Sequence, residues 1–221
     1  MKPLVLFDFD GTLADTAPDL AAAANQQRIR RGQAPLPYEN LRPMASHGAR
    51  GLLGVALEMT PESPGYEAAR QQFLDDYAAN IAVHTTLFAG VEDLLAALGG
   101  KGWSWGIVTN KVTRFTTPLV RHLSLEARSA VVVCGDTTPY SKPHPEPLLH
   151  AARLAGAEPG QCLYVGDDQR DIIAGKAAGM KTIATAYGYC GQGTPVAQWG
   201  ADAIAASVED ILPAINRLLA A

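Results

Sequence analysis

The sequence is short of cysteine, of net charge and of long apolar runs, and each shortage removes a class of protein. Its three cysteines, Cys134, Cys162 and Cys190, stand far apart, are odd in number and form no C-x-x-C pair. A disulfide framework and a cysteine-rich zinc site are therefore excluded, and reduced thiols packed as small core residues are expected. With 18 Lys plus Arg against 22 Asp plus Glu, the formal charge is −4, which gives no general attraction to nucleic acid or anionic lipid. No stretch approaches the roughly 18 consecutive apolar residues of a spanning helix. Residues 1–9 are too short a run, and meet Asp8 too soon, for a signal peptide. A cytoplasmic protein, monomer or homodimer, with neither nucleic acid nor membrane as partner, is expected. Neither G-x-G-x-x-G nor G-x-x-x-x-G-K-[ST] occurs, so a nucleotide-binding fingerprint is absent.

Apolar residues make up 48% of the 221, which is enough to bury a core without disulfides or a structural metal. Residues 3–9 read as a buried strand, because Leu4, Val5, Leu6 and Phe7 run without alternation. Residues 103–108, 131–134, 162–165, 181–185 and 201–205 repeat that pattern, and helical stretches at 91–98, 114–123, 145–155, 170–178 and 208–219 fall between or after them. This alternation predicts an α/β fold with a Rossmann-like doubly wound parallel sheet, whose site lies at the carboxyl ends of the strands. Residues 16–85 break the alternation. Leu52, Leu53, Ala56 and Leu57 share one helical face, as do Phe73, Leu74, Tyr77 and Ile81, with no convincing strand among them. A small all-helical domain at 16–85, inserted after the first strand into a core of 1–15 and 86–221, is the organisation expected.

Four polar clusters follow four of the strands: Asp8 with Asp10, Thr109 with Asn110, Lys142, and Asp167 with Asp168 and Asp171. In a parallel sheet these ends converge. Carboxylates gathered in one place repel one another unless a cation joins them, and hard oxygen ligands suit Mg²⁺. Thr109, Asn110 and Lys142 would then grip phosphoryl oxygens, so the constellation reads as a phosphate site. Asp10, two residues from Asp8, can serve as acid and then base provided its side chain stays off the metal. Lys142 would also hold Asp8 ionised.

Asp8-Phe9-Asp10-Gly11-Thr12, Val108-Thr109-Asn110, Ser141-Lys142-Pro143 and Gly166-Asp167-Asp168-Gln169-Arg170-Asp171 resemble the four ordered motifs of the haloacid dehalogenase-like phosphohydrolases over nearly the whole chain. The resemblance implies a phosphatase in which Asp8 is the nucleophile and forms an aspartyl phosphate. It implies that Asp10 protonates the leaving alcohol and then activates water, and that Mg²⁺ is bound by the side chains of Asp8 and Asp167 and the carbonyl of Asp10. It also implies that the insertion is a cap of type C1, for which the segment Ser46-His47-Gly48-Ala49-Arg50 is the candidate substrate-reading loop, with Arg50 placed to bind a carboxylate. Within the family, Asp15-Thr16-Ala17-Pro18-Asp19 and Val108-Thr109-Asn110-Lys111 are similar to phosphoglycolate phosphatases. Residues 46–50, 82–88 and 199–202 are similar to N-acetylmuramic acid 6-phosphate phosphatases of cell-wall recycling. A small phosphorylated metabolite is the expected substrate.

The same residue types have plainer uses. Asp168 and Asp171 also suit the acidic first turn of a helix, Thr109-Asn110 a helix cap and Lys142-Pro143 a surface loop. His47 and Arg50 fit solvated positions equally well, and Lys111, near the site, also suits a position that only faces solvent. Other chemistries compete too. A dehalogenase would not need Asp10, a phosphomutase of the β-phosphoglucomutase kind would use the same apparatus, and a phospho-receiver signalling domain gathers acids, Thr and Lys without a helical insertion.

Overall fold

The computed structural model describes residues 3–191 and 193–220. In chain order the strands are β1 (Leu4–Phe7), β2 (Ala14–Asp15), β3 (Thr86–Leu87), β4 (Ser104–Val108), β5 (Val132–Val133), β6 (Cys162–Gly166), β7 (Lys181–Thr185) and β8 (Ala203–Ala205). The α-helices are α1 (Ala17–Arg30), α2 (Tyr38–Leu41), α3 (Gly48–Leu57), α4 (Tyr66–Ala79), α5 (Val91–Gly100), α6 (Thr113–His122), α7 (Glu146–Leu154), α8 (Gln169–Ala177) and α9 (Ile211–Ala220).

Six strands form one sheet in the order β5-β4-β1-β6-β7-β8, parallel throughout. The continuous apolar run of β1 is explained by burial on both faces. Val5 and Phe7 pack with α5 and α9 through Leu94, Leu98 and Ile215, while Leu4 and Leu6 pack with α7 and α8 through Leu148 and Ala174. Strand side chains alternate between faces, so four consecutive apolar residues supply two cores. Because the chain builds outward from β1 first to β4 and β5 and later to β6, β7 and β8, the connections diverge on either side of β1 and open a crevice at its carboxyl end.

The strand at 3–9 is shorter than its apolar pattern, since Phe9 leaves the sheet. The Phe9 carbonyl accepts from Leu13 N at 3.1 Å and Ala14 N at 2.9 Å, and Gly11 turns the chain at φ +83°. The stretch expected as a helix at 208–219 opens as a 3-10 turn over Val208–Asp210, held by a capping box between Ser207 and Asp210, before α9 begins. The antiparallel pair β2-β3 was not anticipated: two residues per strand are too few to show an alternation.

Between β2 and β3 lie α1 to α4, with their own core of Leu20, Leu52, Leu53, Phe73 and Tyr77. Phe115 of α6 and Tyr189 of the loop after β7 join that core from the sheet side. The outgoing and returning strands are tied together by Asp19, whose carboxylate accepts from His84 N at 3.0 Å and from Thr85 N and Oγ1 at 2.9 and 2.8 Å. No described helix is long and apolar enough to cross a membrane. All three cysteines are free, with Cys134 and Cys162 buried and Cys190 half-buried.

Candidate active site

The carboxyl ends of β1, β4 and β6 meet the helical lobe around a cleft of about 660 Å³, with Asp8, Asp10, Thr109 and Lys142 toward the sheet and Ser46, Arg50, Phe73 and Tyr77 contributed by the lobe. Asp8 lies directly after β1, where its Oδ1 accepts from Phe9 N at 2.7 Å. Asp167 follows β6 and is fully buried. Its Oδ1 accepts from Thr12 Oγ1 at 3.0 Å and its Oδ2 from Tyr189 N at 2.8 Å. Only glycine fits against it on two sides: a Cβ on Gly11 would lie 2.2 Å from Asp167 Oδ2, and one on Gly188 2.3 Å from Asp167 Cβ.

Asp8, Asp167 and Asp171 can each place a carboxylate oxygen within 4.8 Å of the others. Burial pushes the Asp8 carboxyl up to about 7 against the opposing pull of Lys142. Asp167 is driven well above the ordinary carboxylate range, by burial first and then by the charges of Asp8 and Asp171. Three buried carboxylates so close together are what a divalent cation relieves, and an all-oxygen set fits a hard ion such as Mg²⁺. The Asp10 side chain is outside this cluster.

Lys142 is 4% exposed. Its Nζ lies 2.9 Å from Asp8 and 2.7 Å from Asp171 and donates to Val108 O at 3.1 Å and Tyr164 Oη at 2.7 Å. Burial alone would lower its pKa, but Asp171 and then Asp8 reverse the sign and raise it. An ammonium has three donors, and four protein acceptors surround this one. Of the two carboxylates, Asp171 is the nearer and the stronger influence, with Asp8 next. The Asn110 side chain is likewise engaged: its Nδ2 donates to Lys142 O and its Oδ1 accepts from Lys142 N, both at 2.9 Å. Asn110 thus clamps the main chain that carries Lys142, and the residue lines the cleft. Thr109 is buried, and its Oγ1 accepts from Lys111 N at 3.1 Å.

Lys111 lies at the site and does not face solvent. Its side chain is 9% exposed, with Nζ 2.7 Å from Asp10 Oδ1 and 5.1 Å from the centre of the Tyr77 ring. Burial pulls its pKa down, and Asp10 with Tyr77 more than compensates, so the net direction is up. Asp10 also accepts a short hydrogen bond from Thr16 Oγ1. Tyr164 beneath Lys142 and Tyr189 beside Asp167 are further site residues that sequence reasoning missed. An apolar-looking strand position and a glycine-rich loop hide both.

Asp168 is the N-cap of α8, with a capping box to Asp171, and Arg170 Nε donates to it at 2.8 Å. Burial raises its pKa, but hydrogen bonding and charge from Arg170 leave it lowered overall. Arg170 reaches on to Ser46 O at 2.8 Å, joining sheet to lobe. Arg50 is exposed at the cleft in the first turn of α3. Ser46 Oγ and Tyr77 Oη are buried with no hydrogen-bond partner among the described residues.

This geometry has relatives. The profile of the haloacid dehalogenase-like hydrolases matches residues 5–185. An N-acetylmuramic acid 6-phosphate phosphatase of Pseudomonas aeruginosa is 42% identical over 215 residues, covering 97% of this chain and 95% of the relative. A phosphoglycolate phosphatase of Xanthomonas campestris is 43% identical over 201 residues, 90% of each chain. The crystal structure of a predicted phosphoglycolate phosphatase from Haemophilus somnus superimposes with a TM-score of 0.84 at 29% identity, covering 96% of this chain and 97% of the other.

Proposed function

The chain belongs to the haloacid dehalogenase-like hydrolases, and from that premise we propose that it is a Mg²⁺-dependent phosphomonoesterase working through an aspartyl phosphate. The observation that carries this reading is the meeting of Asp8, Asp167, Asp171 and Lys142 at the carboxyl end of the sheet, with Asp8, Asp171 and Lys142 lining the cleft. Asp8 attacks phosphorus, the bond from phosphorus to the ester oxygen breaks, and the departing oxygen takes a proton from Asp10. Asp10 then removes a proton from water, which attacks the same phosphorus, releases inorganic phosphate and restores Asp8. Lys142 draws the Asp8 carboxyl toward its ionised form against the effect of burial, and Thr109 and the main chain of Asn110 border the phosphoryl oxygens. The side chains of Asp8 and Asp167 with the carbonyl of Asp10 would hold the Mg²⁺, and Asp171 stands next to them. When bound, the ion supplies positive charge that lets an anionic ester approach an anionic nucleophile.

In the same proposal residues 16–85 act as a C1 cap over a core of 1–15 and 86–221, excluding water during the first step. The substrate is a small phosphorylated carboxylate metabolite, the carboxylate being read by Arg50. Phosphoglycolate is the simplest such compound, and relatives carry that name. The cleft volume favours the second reading, N-acetylmuramic acid 6-phosphate: about 660 Å³ is in the range of roughly 300–1,000 Å³ that encloses drug-sized ligands, far more than a two-carbon acid fills. Both readings are tested by ranking kcat/KM with Mg²⁺ over phosphoglycolate, N-acetylmuramic acid 6-phosphate and glucose phosphates, with products identified. Preference for glucose phosphates over both acids would overturn the carboxylate assignment, and an isomerised sugar phosphate in place of inorganic phosphate would make the protein a mutase.

A further inference from the structure

The residue at the start of α1 has the type of a helix cap and does not behave as one. Thr16 is the N-cap of α1, yet its side chain makes no capping hydrogen bond; its Oγ1 is given to Asp10. A threonine in this position ordinarily satisfies one of the orphaned N–H groups of the first turn. Here Tyr189, from the loop after β7, takes up the N–H groups of the cap residue and of the first helical residue. Tyr189 Oη accepts from Thr16 N at 2.7 Å and Ala17 N at 2.9 Å and donates to Asp15 Oδ1 at 2.9 Å. The next residue, Pro18, has no N–H to satisfy.

We propose that Tyr189 is a positioning residue for the proton-transferring group. Its hydroxyl holds the main chain where the helical lobe leaves the sheet, and so frees the Thr16 hydroxyl to orient Asp10. This rests on the reading of Asp10 as the group that serves the leaving oxygen. Tyr189 is 3% exposed, so its hydroxyl has no competing water. Its ring is fixed from the lobe side by the Arg42 guanidinium, 5.0 Å from the ring centre, which also donates to Gly188 O at 3.0 Å. Its own N–H fixes Asp167 at 2.8 Å. One residue thus joins the acidic cluster, the crossing into α1 and, through Thr16, Asp10.

The test compares a sugar 6-phosphate, whose alkoxide needs a proton, with p-nitrophenyl phosphate, whose leaving group does not. Tyr189→Phe keeps the ring and the N–H to Asp167 and removes only the hydroxyl. Thr16→Val removes the hydroxyl bond to Asp10 and keeps both N–H groups that Tyr189 caps, so it probes the same link from the other side. Each is expected to lower kcat/KM, which reports the first half-reaction and not the dephosphorylation both esters share, by about tenfold more on the sugar ester than on the aryl ester, because small displacements of a catalytic group are costly. The double variant should lose little more than either single one, since the two act in one chain. Without Mg²⁺, Tyr189→Phe should lower Tm by roughly 4–10 °C through its two orphaned N–H groups, and Thr16→Val by less. Equal losses on both esters in both single variants, or full additivity in the double variant, would overturn the proposal. Asp10→Asn separates this from the reading beneath it: if that variant also lowers kcat/KM equally for both esters, the role of Asp10 as acid itself fails. If it spares kcat/KM for the aryl ester while Tyr189→Phe and Thr16→Val do not, only the role of Tyr189 fails.

Discussion

The Lys111 ammonium lies 2.7 Å from the Asp10 carboxylate, with both side chains largely removed from solvent. A lysine placed in this way fixes the direction of a carboxylate. Replacing it with methionine keeps the stem and deletes the charge. Lys111→Met should lower kcat on alkyl esters by about 10–100-fold, the scale of general acid and base catalysis. Steady-state kinetics on a sugar phosphate checks this, and a kcat within twofold of wild type would show that the pair only packs.

Asp8→Asn should abolish phosphate release and leave no labelled acyl phosphate after an acid quench. It should not cost stability. Burial already pushes the Asp8 carboxyl up to about 7, so a neutral amide suits the site, and Lys142 retains Asp171 at 2.7 Å. Thermal unfolding at pH 8 without metal should give a Tm equal to or above wild type. A clear drop would mean that the Asp8–Lys142 pair outweighs the burial of its charges.

Metal removal should expose a pH dependence of definite sign. Asp8 has a folded pKa of about 7 against an ordinary 3.8, and Asp167 shifts in the same direction. Such groups bind protons more tightly in the folded state, so their contribution to stability is fully present below about pH 4 and is lost as pH rises through 7. In EDTA the Tm should therefore fall between pH 5 and pH 7.5, and Mg²⁺ should raise it more at pH 7.5 than at pH 5. Calorimetry across that range checks both, and an equal Mg²⁺ effect at the two pH values would separate the acidic cluster from metal binding.

Arg50→Ala should raise KM for carboxylated esters by about tenfold, the worth of a charge-assisted hydrogen bond, and leave p-nitrophenyl phosphate within about twofold. Parallel kinetics on the two substrates decides it. Equal effects would move carboxylate recognition to another residue of the cleft.

Much of this was legible in the order of residues. The uninterrupted Leu4-Val5-Leu6-Phe7 run, followed at once by Asp8 and Asp10, points to a strand buried on both faces with acids at its end, because alternation disappears when both faces are covered. The same logic located Thr109, Lys142 and Asp167 behind their own strands. Other relations were not legible. Lys111 read as near the site without a partner; the ion pair with Asp10 and Tyr77 of α4 over it give it one. Asn110 read as a residue of the phosphate site, and its clamp on the distant Lys142 main chain was not legible.

The sequence by itself determined the sheet, the positions of its polar strand ends and the family, since periodicity and motif order are local or ordinal properties that survive without coordinates. Tertiary structure alone decided which groups are neighbours: Tyr189 capping a helix more than 170 positions away in the chain, Tyr164 beneath Lys142, and Asp10 shared between Lys111 and Thr16. The physical reason is that hydrogen bonds and ion pairs act over a few ångströms of space whatever the separation along the chain, and that separation is all a lone sequence records.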